Sequence, residues 1–197
     1  PTFAARYHEN NRILLEELQR VSGPGLDMHD LADSDASWKL QESETDLALL
    51  SPLFFGKRES DLALLGGACV AAVGATGEWL LHFQAGLRSI RTVGYFGERG
   101  MPTILAEIIL KEKYGMHPRM QQLPAPSAAT PLDALLSTVD ALLTTSDAQR
   151  ADILSPSHID LIDEWYDMTQ LPLVREVFIG WEARVSVAID AASRASG

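Results

Sequence analysis

The sequence predicts an α/β fold built around a parallel sheet, because strand-like and helix-like segments alternate over residues 2–50. Residues 47–50 form a run without any polar side chain, which is typical of a strand that is buried on both faces. The chain has 197 residues, of which 46% are hydrophobic, so it can bury a core as one domain or as two small lobes.

The first strand and the first helix are predicted within residues 2–21. Residues 2–7 are a short mixed run that suits a strand, and either Asn10 or Asn11 can cap the helix that follows. The segment SGPG at 22–25 ends this helix, since glycine and proline interrupt helical hydrogen bonding. Three apolar side chains at i, i+4 and i+7 are expected on its packed face: Leu14, Leu18 and Val21.

A second strand, a second helix and a third strand follow along the chain. Residues 26–31 can pair as the second strand, and Asp33 or Ser34 can cap a short helix that runs through Leu40. With the apolar run at 47–50, the order becomes strand, helix, strand, helix, strand, which favours parallel pairing and right-handed crossovers.

From residue 62 the pattern changes to closely spaced strand-like runs that are separated by glycines: 62–74, 78–84 and 90–96. This change predicts that the chain crosses from one lobe into a second. We therefore expect a first lobe at 1–90, a second lobe at 91–175, and a return strand with a C-terminal helix at 176–197 that packs on the first lobe.

The segment between Val93 and Gly115 is the most informative for function. A short apolar run and a glycine-broken loop lead into a helix at 102–114 that opens with Pro102. Free backbone N–H groups at a helix N-terminus, here beside Arg99, form a seat for an anion. The packed face of this helix is expected to carry four apolar side chains: Ile104, Leu105, Ile108 and Ile109.

The part of the chain after this helix predicts a strand at 119–123, a helix that starts after Thr130, and a buried strand at 140–144. Thr130 and Asp133 have the spacing of a capping box, and Pro131 would occupy the first helical position. Four apolar side chains share one face of this helix: Leu132, Leu135, Leu136 and Val139.

Charge and composition exclude several classes of function. The chain carries 16 basic and 27 acidic residues, a net charge of −11, without a Lys/Arg-rich run, so we do not expect nucleic acid as a partner. Its apolar runs fall short of the roughly 20 residues that span a bilayer, and no signal segment is evident, so we expect a cytoplasmic protein without a membrane partner. We interpret the single cysteine, Cys69, as a small buried hydrophobic residue rather than a nucleophile.

The histidines are scattered along the chain without the spacing of metal ligands: His8, His29, His82, His117 and His158. Neither a phosphate-binding loop nor the dinucleotide-binding glycine motif is present. We therefore expect neither a metal nor an organic cofactor.

Several stretches of the chain, in order, resemble the menaquinone-biosynthesis proteins of the futalosine route. They include SETDLALLSPLFF at 43–55, residues 65–96, LKEKYG at 110–115, VDALLTTSDA at 139–148 and, most specific, DLIDEWYDMTQLPLV at 160–174. The resemblance is chiefly to chorismate dehydratase and more distantly to 1,4-dihydroxy-6-naphthoate synthase. It implies a two-lobe, type II periplasmic-binding-protein-like fold with a ligand cleft between the lobes, here with a shortened C-terminal region.

The resemblance and the loops that follow the predicted strands together give the candidate site residues. The family's Ser-Arg-Thr-Ser ligand loop becomes Glu-Arg-Gly-Met at 98–101, so most of the hydroxyl groups are replaced. The candidate catalytic residues are Glu9 and Asn10, and the candidate ligand-binding residues are Tyr7, Ser51, Thr76, Gly77, Arg99, Gly100, Met101, Thr103, Ser146 and Asp147.

Each candidate has a structural alternative. Arg99 either pairs with a ligand carboxylate or is solvated beside Glu98, and Glu9 is either a buried general base or an exposed residue at a helix start. Asp147 is either a base or the N-cap of a short helix. The short hydroxyl side chains either bind ligand or only cap turns: Ser51, Thr76 and Ser146.

Two functions fit these residues. One is a cofactor-independent hydro-lyase that eliminates water from chorismate or a related enolpyruvyl carboxylate, for which Arg99→Ala would be severely damaging. The other is a diverged, non-catalytic binding protein for a small aromatic or carboxylic acid. Since little of the chain remains after residue 180, a reduced cover over the first lobe would also expose an apolar face and favour a homodimer.

Overall fold

The computed structural model of the chain describes residues 1–56, 62–127, 131–145 and 157–181. The chain forms two compact units, one from Pro1–Ala71 with the chain from Val174 onward, and the other from Ala72–Leu173. Each unit contains a five-stranded sheet with helices, so the predicted α/β class is confirmed.

The division of the chain falls after Ala71 and after Leu173, whereas the sequence pattern placed it after residues 90 and 175. The difference at the first boundary concerns the strand Leu80–Phe83, which pairs with two strands of the second unit and therefore belongs there. The expected C-terminal helix lies outside the described residues.

The first unit has three parallel strands in sequence and an antiparallel strand that returns from the second unit. Its elements are β1 (Thr2–Ala5), α1 (Arg12–Ser22), β2 (Asp27–Asp30), α2 (Asp33–Gln41), β3 (Leu47–Leu50), α3 (Pro52–Gly56), β4 (Leu62–Ala72) and β10 (Leu173–Trp181). The sheet order is β2-β1-β3-β10-β4, with β1 parallel to β2 and β3, and β10 antiparallel to β3.

Both faces of this sheet are covered by apolar side chains, as strand periodicity requires. Phe3 and Ala5 of β1 pack with Leu15 of α1 on one face, while Ala4 packs with Leu40 of α2 on the other. All five side chains are fully buried, so the strands and helices predicted over residues 2–50 are confirmed.

Three local expectations for the first unit are wrong. Val21 is 75% exposed, because the packed face of α1 runs through Leu15 instead. Asp33 is the first helical residue of α2 and Ala32 is the N-cap, without a side-chain cap bond. Cys69 is exposed rather than buried, since it lies in β4 at the edge of the sheet.

The second unit has a mixed sheet in the order β7-β6-β8-β5-β9. Strand β6 is parallel to β7 and β8, while β5 is antiparallel to β8 and β9. Its elements are β5 (Leu80–Phe83), β6 (Thr92–Phe96), α4 (Met101–Glu112), β7 (Arg119–Leu123), α5 (Leu132–Leu136), β8 (Ala141–Thr144), β9 (Ser157–Asp160) and α6 (Leu161–Thr169).

The predicted helix over 102–114 is confirmed as α4, but its packed face is shifted. Ile104 is only partly buried and Ile108 is exposed, whereas Ala106 and Leu110 are fully buried. This helix is apolar on several sides, so periodicity alone does not fix which side meets the sheet. In α5 Leu132, Leu135 and Leu136 are buried as predicted, but the helix ends at Leu136, so the buried Val139 lies beyond it. Pro131 is the N-cap rather than the first helical residue. Thr130 lies outside the described residues.

Asp160 joins two segments of the second unit that are far apart in sequence. Its Oδ1 accepts hydrogen bonds from the backbone N of Ile162 and Asp163 at 2.8 and 3.3 Å, which caps α6. Its Oδ2 accepts from the backbone N of Thr76 and Gly77 at 2.8 and 2.6 Å. One carboxylate therefore starts a helix and fixes a loop.

Tyr114 and Lys113 attach the end of α4 to α6. The Tyr114 hydroxyl donates to Glu164 Oε2 at 2.5 Å, and Lys113 Nζ lies 2.7 Å from the same oxygen and 3.4 Å from Asp167 Oδ2. Burial, followed by the hydrogen bond to Glu164, raises the pKa of Tyr114 to about 12. The neutral phenol is thus the form that the folded protein favours.

We expect Asp160→Ala to lower the free energy of unfolding by about 2–4 kcal/mol, because it removes a helix cap and the acceptor for the 76–77 loop. Asp160→Asn keeps one carbonyl acceptor and should cost less. Urea denaturation measures both, with Asp163→Asn in the same helix turn as the control, expected to change stability by less than about 1 kcal/mol. An Asp160→Ala loss no larger than the control's would contradict this role.

The Tyr114 phenol should titrate above the ordinary range of a tyrosine, near pH 12. An unfolded tyrosine ionises near pH 10, so the raised pKa of Tyr114 stabilises the folded protein fully below pH 10, and this stabilisation is lost as pH rises toward 12. Phenolate absorbance is the measurement, and Tyr114→Phe should remove the component that titrates near pH 12. Glu164→Gln should lower the pKa of Tyr114 only in part, since burial is the larger cause. A Glu164→Gln titration identical to wild type would refute the assignment.

Candidate functional site

A pocket lies in the second unit at the carboxyl ends of β6 and β8, and we call it the strand-end pocket. The two strands are parallel neighbours, with Val93 opposite Ala141 and Gly94 opposite Leu142, so both end at the same edge of the sheet. The pocket has a volume of about 100 Å³. Its lining residues are Tyr95, Phe96, Glu98, Gly100, Pro102, Thr103, Leu143 and Thr145.

Glycines and a proline allow the chain to turn from β6 into α4 beside this pocket. Gly97 has a φ of +70°, in the left-handed region that glycine tolerates best. The Gln122 side-chain amide donates to Gly97 O at 2.9 Å and fixes the turn. At Gly94 a Cβ atom would lie 2.5 Å from Leu123 Cδ1, so any larger residue would force the end of that leucine side chain to move.

The N-terminus of α4 leaves backbone donors without helical acceptors at the pocket. Gly100 is the N-cap and makes no side-chain cap bond, and Ile104 N is the donor to Gly100 O at 3.1 Å. The earlier N–H groups of Met101 and Thr103 have no carbonyl four residues before them within the helix, and Pro102 has no N–H. This end of the helix therefore favours an anion or another acceptor oxygen.

Glu98 adds a carboxylate to the same lining, opposite in sign to the helix end. The pocket can therefore supply N–H donors to a carboxylate and an acceptor to a hydroxyl group of the same ligand. Hydroxylated carboxylates match this pair of partners better than a bare anion does.

The structure places Arg99 away from the strand-end pocket. Its guanidinium pairs with Glu107 on the outside of α4, and the side chain is 53% exposed. Gly100 and Thr103 line the pocket, and Thr103 is buried. Met101 packs against the apolar core of the unit instead.

Thr76 and Gly77, two other predicted residues of the second unit, do not line this pocket. The backbone N–H groups of Thr76 and Gly77 bind Asp160, and the Thr76 hydroxyl accepts from Glu78 N at 3.3 Å. Ser146 and Asp147 lie outside the described residues.

The predicted residues of the first unit occupy the carboxyl ends of β1 and β3. Tyr7 N donates to Asp30 Oδ1 at 2.9 Å, and burial, with a smaller contribution from Asp30, raises the pKa of the Tyr7 hydroxyl. Glu9 and Asn10 lie in an exposed turn. The Ser51 hydroxyl accepts from Leu53 N at 3.3 Å, which caps the start of α3.

Beside these residues lies a hydrogen-bonded group that sequence reasoning missed, formed by His8, Asn11 and Glu176, which we call the His8 cluster. His8 Nε2 is 2.6 Å from Glu176 Oε1, and Asn11 Nδ2 donates to Glu176 Oε2 at 3.1 Å and to Arg6 O at 2.8 Å. Val177 of β10 pairs with Leu50 at the end of β3, so the antiparallel strand brings Glu176 to the edge where β1 ends.

The burial of Asn11 could have been predicted from the sequence. Asn11 directly precedes α1 and lies four positions before the buried Leu15, in line with the packed face of the helix, and only 1% of it is exposed. Of the two asparagines considered as helix caps, helical hydrogen bonding begins at Asn11, whose carbonyl accepts from Leu15 N at 3.0 Å. Nothing in the sequence indicates Glu176, because its partners lie more than 160 positions away.

Neither a metal centre nor a membrane-spanning helix is found in the described part of the chain. Over residues 1–56, 62–127, 131–145 and 157–181, no group of three or more His, Cys, Asp or Glu side chains is placed to hold a metal ion. Among the helices in those same ranges, none has the length and hydropathy needed to cross a bilayer.

Solved structures share this fold at low sequence identity. The periplasmic aliphatic sulphonate binding protein SsuA of Escherichia coli is 14% identical with a TM-score of 0.65, and the match covers 98% of this chain and 69% of that one. Protein AF1704 of Archaeoglobus fulgidus is 14% identical with a TM-score of 0.61, covering 91% and 67%. The alkanesulfonate-binding SsuA of Xanthomonas axonopodis pv. citri, bound to MOPS, is 16% identical with a TM-score of 0.55, covering 100% and 72%.

These likenesses confirm the predicted type II periplasmic-binding-protein-like fold. No curated protein sequence matches the chain significantly. A family model described as menaquinone biosynthesis matches residues 29–195, which is most of the chain and includes the stretches on which the resemblance was based. This chain therefore belongs to the menaquinone biosynthesis family.

Proposed function

We propose that the protein acts in menaquinone biosynthesis as a chorismate dehydratase-like hydro-lyase that seats a small carboxylate in the strand-end pocket. Membership of the menaquinone biosynthesis family supports the assignment of the protein to this pathway. The observation that carries the site is the N-terminus of α4 at a pocket between the ends of two parallel strands, the position where open α/β sheets hold ligands.

The pocket is large enough to hold part of a substrate, but not a whole one. A volume of about 100 Å³ corresponds to roughly three water molecules, enough for a carboxylate and the atoms next to it. The α4 N–H groups bind the carboxylate, and Glu98 accepts a hydrogen bond from a neighbouring hydroxyl. This arrangement suits a hydroxylated, unsaturated carboxylic acid, the class of substrate that can lose water.

A second candidate is a non-catalytic protein that binds a small organic anion. The ion pair of Arg99 with Glu107 favours it, because a guanidinium on the outside of α4 is not available to stabilise charge in the pocket. Two proteins of the same fold are described as sulphonate-binding, and one of them holds MOPS, an organic anion. In this alternative the same pocket retains a ligand without reacting.

The first test compares three substitutions around α4 in the turnover of chorismate, followed by mass spectrometry of the dehydrated product. We expect Thr103→Val to lower kcat/KM by about tenfold, since it removes a buried hydroxyl while keeping the side-chain shape. Glu98→Gln should also lower kcat/KM by about tenfold if the carboxylate accepts from the substrate hydroxyl. Arg99→Ala should stay within about twofold, because its partner is Glu107.

The outcomes of this comparison separate the proposed contacts. A gain in kcat/KM for Glu98→Gln would mean that its charge only repels the ligand. A severe loss for Arg99→Ala together with an unchanged Thr103→Val would move the carboxylate to the guanidinium and overturn the pocket assignment.

The second test distinguishes the lyase from the binding protein. A ligand at about 100 times its Kd should stabilise the fold by about 2.7 kcal/mol, seen as a higher Tm. Chorismate that raises the Tm and is also dehydrated supports the lyase. If an aromatic carboxylate or chorismate raises the Tm without turnover, the result supports the binding protein. If neither compound raises the Tm and neither is turned over, both candidate functions are excluded.

A further inference from the structure

Tyr95 lines the strand-end pocket and has no role in the proposed function. Strand alternation puts Val93 and Tyr95 on the same face of β6. On that face Tyr95 packs against the apolar cluster that also includes Leu143 of the neighbouring strand β8 and is contacted by Met101 at the start of α4. The base of the tyrosine side chain is therefore fixed by packing within the second unit, at the end of the strand where the pocket lies.

The hydroxyl group of Tyr95 is available to a ligand. It makes no hydrogen bond within residues 1–56, 62–127, 131–145 and 157–181. The side chain is half-buried, and the hydroxyl is not among the unpaired polar atoms that the described residues seal from solvent. In the same unit the hydroxyl of Tyr114 is already bound to Glu164. Tyr95 thus brings a free donor to the pocket.

Thr103 brings a second hydroxyl of this kind, and it is more deeply buried. Thr103 is 3% exposed and lines the same pocket, and within the described part of the chain its Oγ1 makes no hydrogen bond. A threonine inside a helix often donates to the carbonyl four positions before it, as Thr169 does to Trp165 O at 2.8 Å. Because a buried hydroxyl without a partner is unfavourable, its position at the pocket indicates that a ligand supplies the acceptor.

Two N–H groups and two hydroxyl groups are then available at this end of α4. The N–H groups belong to Met101 and Thr103, and the hydroxyl groups belong to Thr103 and Tyr95. A carboxylate has two oxygens with about four lone-pair sites, so these donors can satisfy it. A sulphonate spreads its charge over three oxygens in a tetrahedral arrangement, and the same donors would leave part of it unpaired.

We propose that Tyr95 is a ligand-contacting, specificity-determining residue whose hydroxyl, with Thr103 and the start of α4, completes a seat that selects a carboxylate over a sulphonate. This inference rests on the carboxylate seat of the proposed function, but it does not depend on turnover. The Tyr95 hydroxyl donates to the carboxylate oxygen that the α4 N–H groups leave incompletely bound. The seat gains a donor in this way without a positive charge.

The test measures the Kd of two matched probes, 3-hydroxybenzoate and 3-hydroxybenzenesulphonate, by titration calorimetry on the full chain. Wild type should bind the carboxylate at least about tenfold more tightly than the sulphonate. Tyr95→Phe keeps the ring and removes only the hydroxyl, so it should weaken carboxylate binding by about tenfold and reduce the preference. Tyr166→Phe is the matched control, since Tyr166 lies in α6 and does not line the pocket, and its Kd should stay within about twofold of wild type.

Thr103→Val separates the role of Tyr95 from the seat on which it rests. If Thr103→Val weakens carboxylate binding and Tyr95→Phe does not, the seat stands and the inference is overturned. If neither variant weakens binding, or if wild type binds neither probe, the seat and the inference are both overturned. Equal affinity of wild type for the two probes would also contradict the proposed selection.

The turnover of chorismate gives a second readout of the same contact. A residue that binds the carboxylate equally in the ground state and the transition state affects KM rather than kcat. Tyr95→Phe should therefore raise KM by about tenfold and leave kcat within about twofold of wild type. A lower kcat with an unchanged KM would contradict the binding role. If wild type shows no turnover, the lyase is excluded and the two Kd values still decide the role of Tyr95.

Discussion

Parallel pairing of neighbouring strands is the constraint on which both polar sites depend. In the second unit β6 is parallel to β8, and in the first unit β1 is parallel to β2 and β3. Because parallel strands run in one direction, their carboxyl ends meet at one edge of the sheet, and the loops that leave them bring side chains together. The antiparallel β10 then contributes Glu176 to the edge where β1 and β3 end.

Local patterns in the sequence were sufficient to predict most of the elements. The apolar run Leu47–Leu50 is β3 with the same bounds, and the strand predicted at 119–123 is β7. The first of these segments is a short apolar run between Asp46 and Ser51, so its length and hydrophobicity indicate a buried strand. The start of α4 was also predictable, because a proline in the first turn after a glycine is typical of a helix N-terminus.

The residues that the sequence missed depend on partners far along the chain. Asp160 caps α6, but its bonds to the loop at Thr76 span more than 80 positions. Arg99 has a glutamate directly before it in sequence, yet it pairs with Glu107, eight positions on. In α4 Leu105 and Ile109 are buried as predicted, but Ile108 is exposed, because this helix is apolar on more than one side and the position of the sheet selects the buried face. Long-range geometry therefore decided the site, while local pattern decided the fold.

The strand-end pocket offers backbone N–H donors instead of a guanidinium, and this weakens its attraction for a carboxylate. The described lining includes no Lys or Arg, and a helix end carries only about half of an elementary charge, so a carboxylate is incompletely neutralised there. Glu98 reduces the attraction further unless a ligand hydroxyl donates to it. In the proposed hydro-lyase, ground-state binding of the substrate would then be modest, and interactions that strengthen in the transition state would determine the rate.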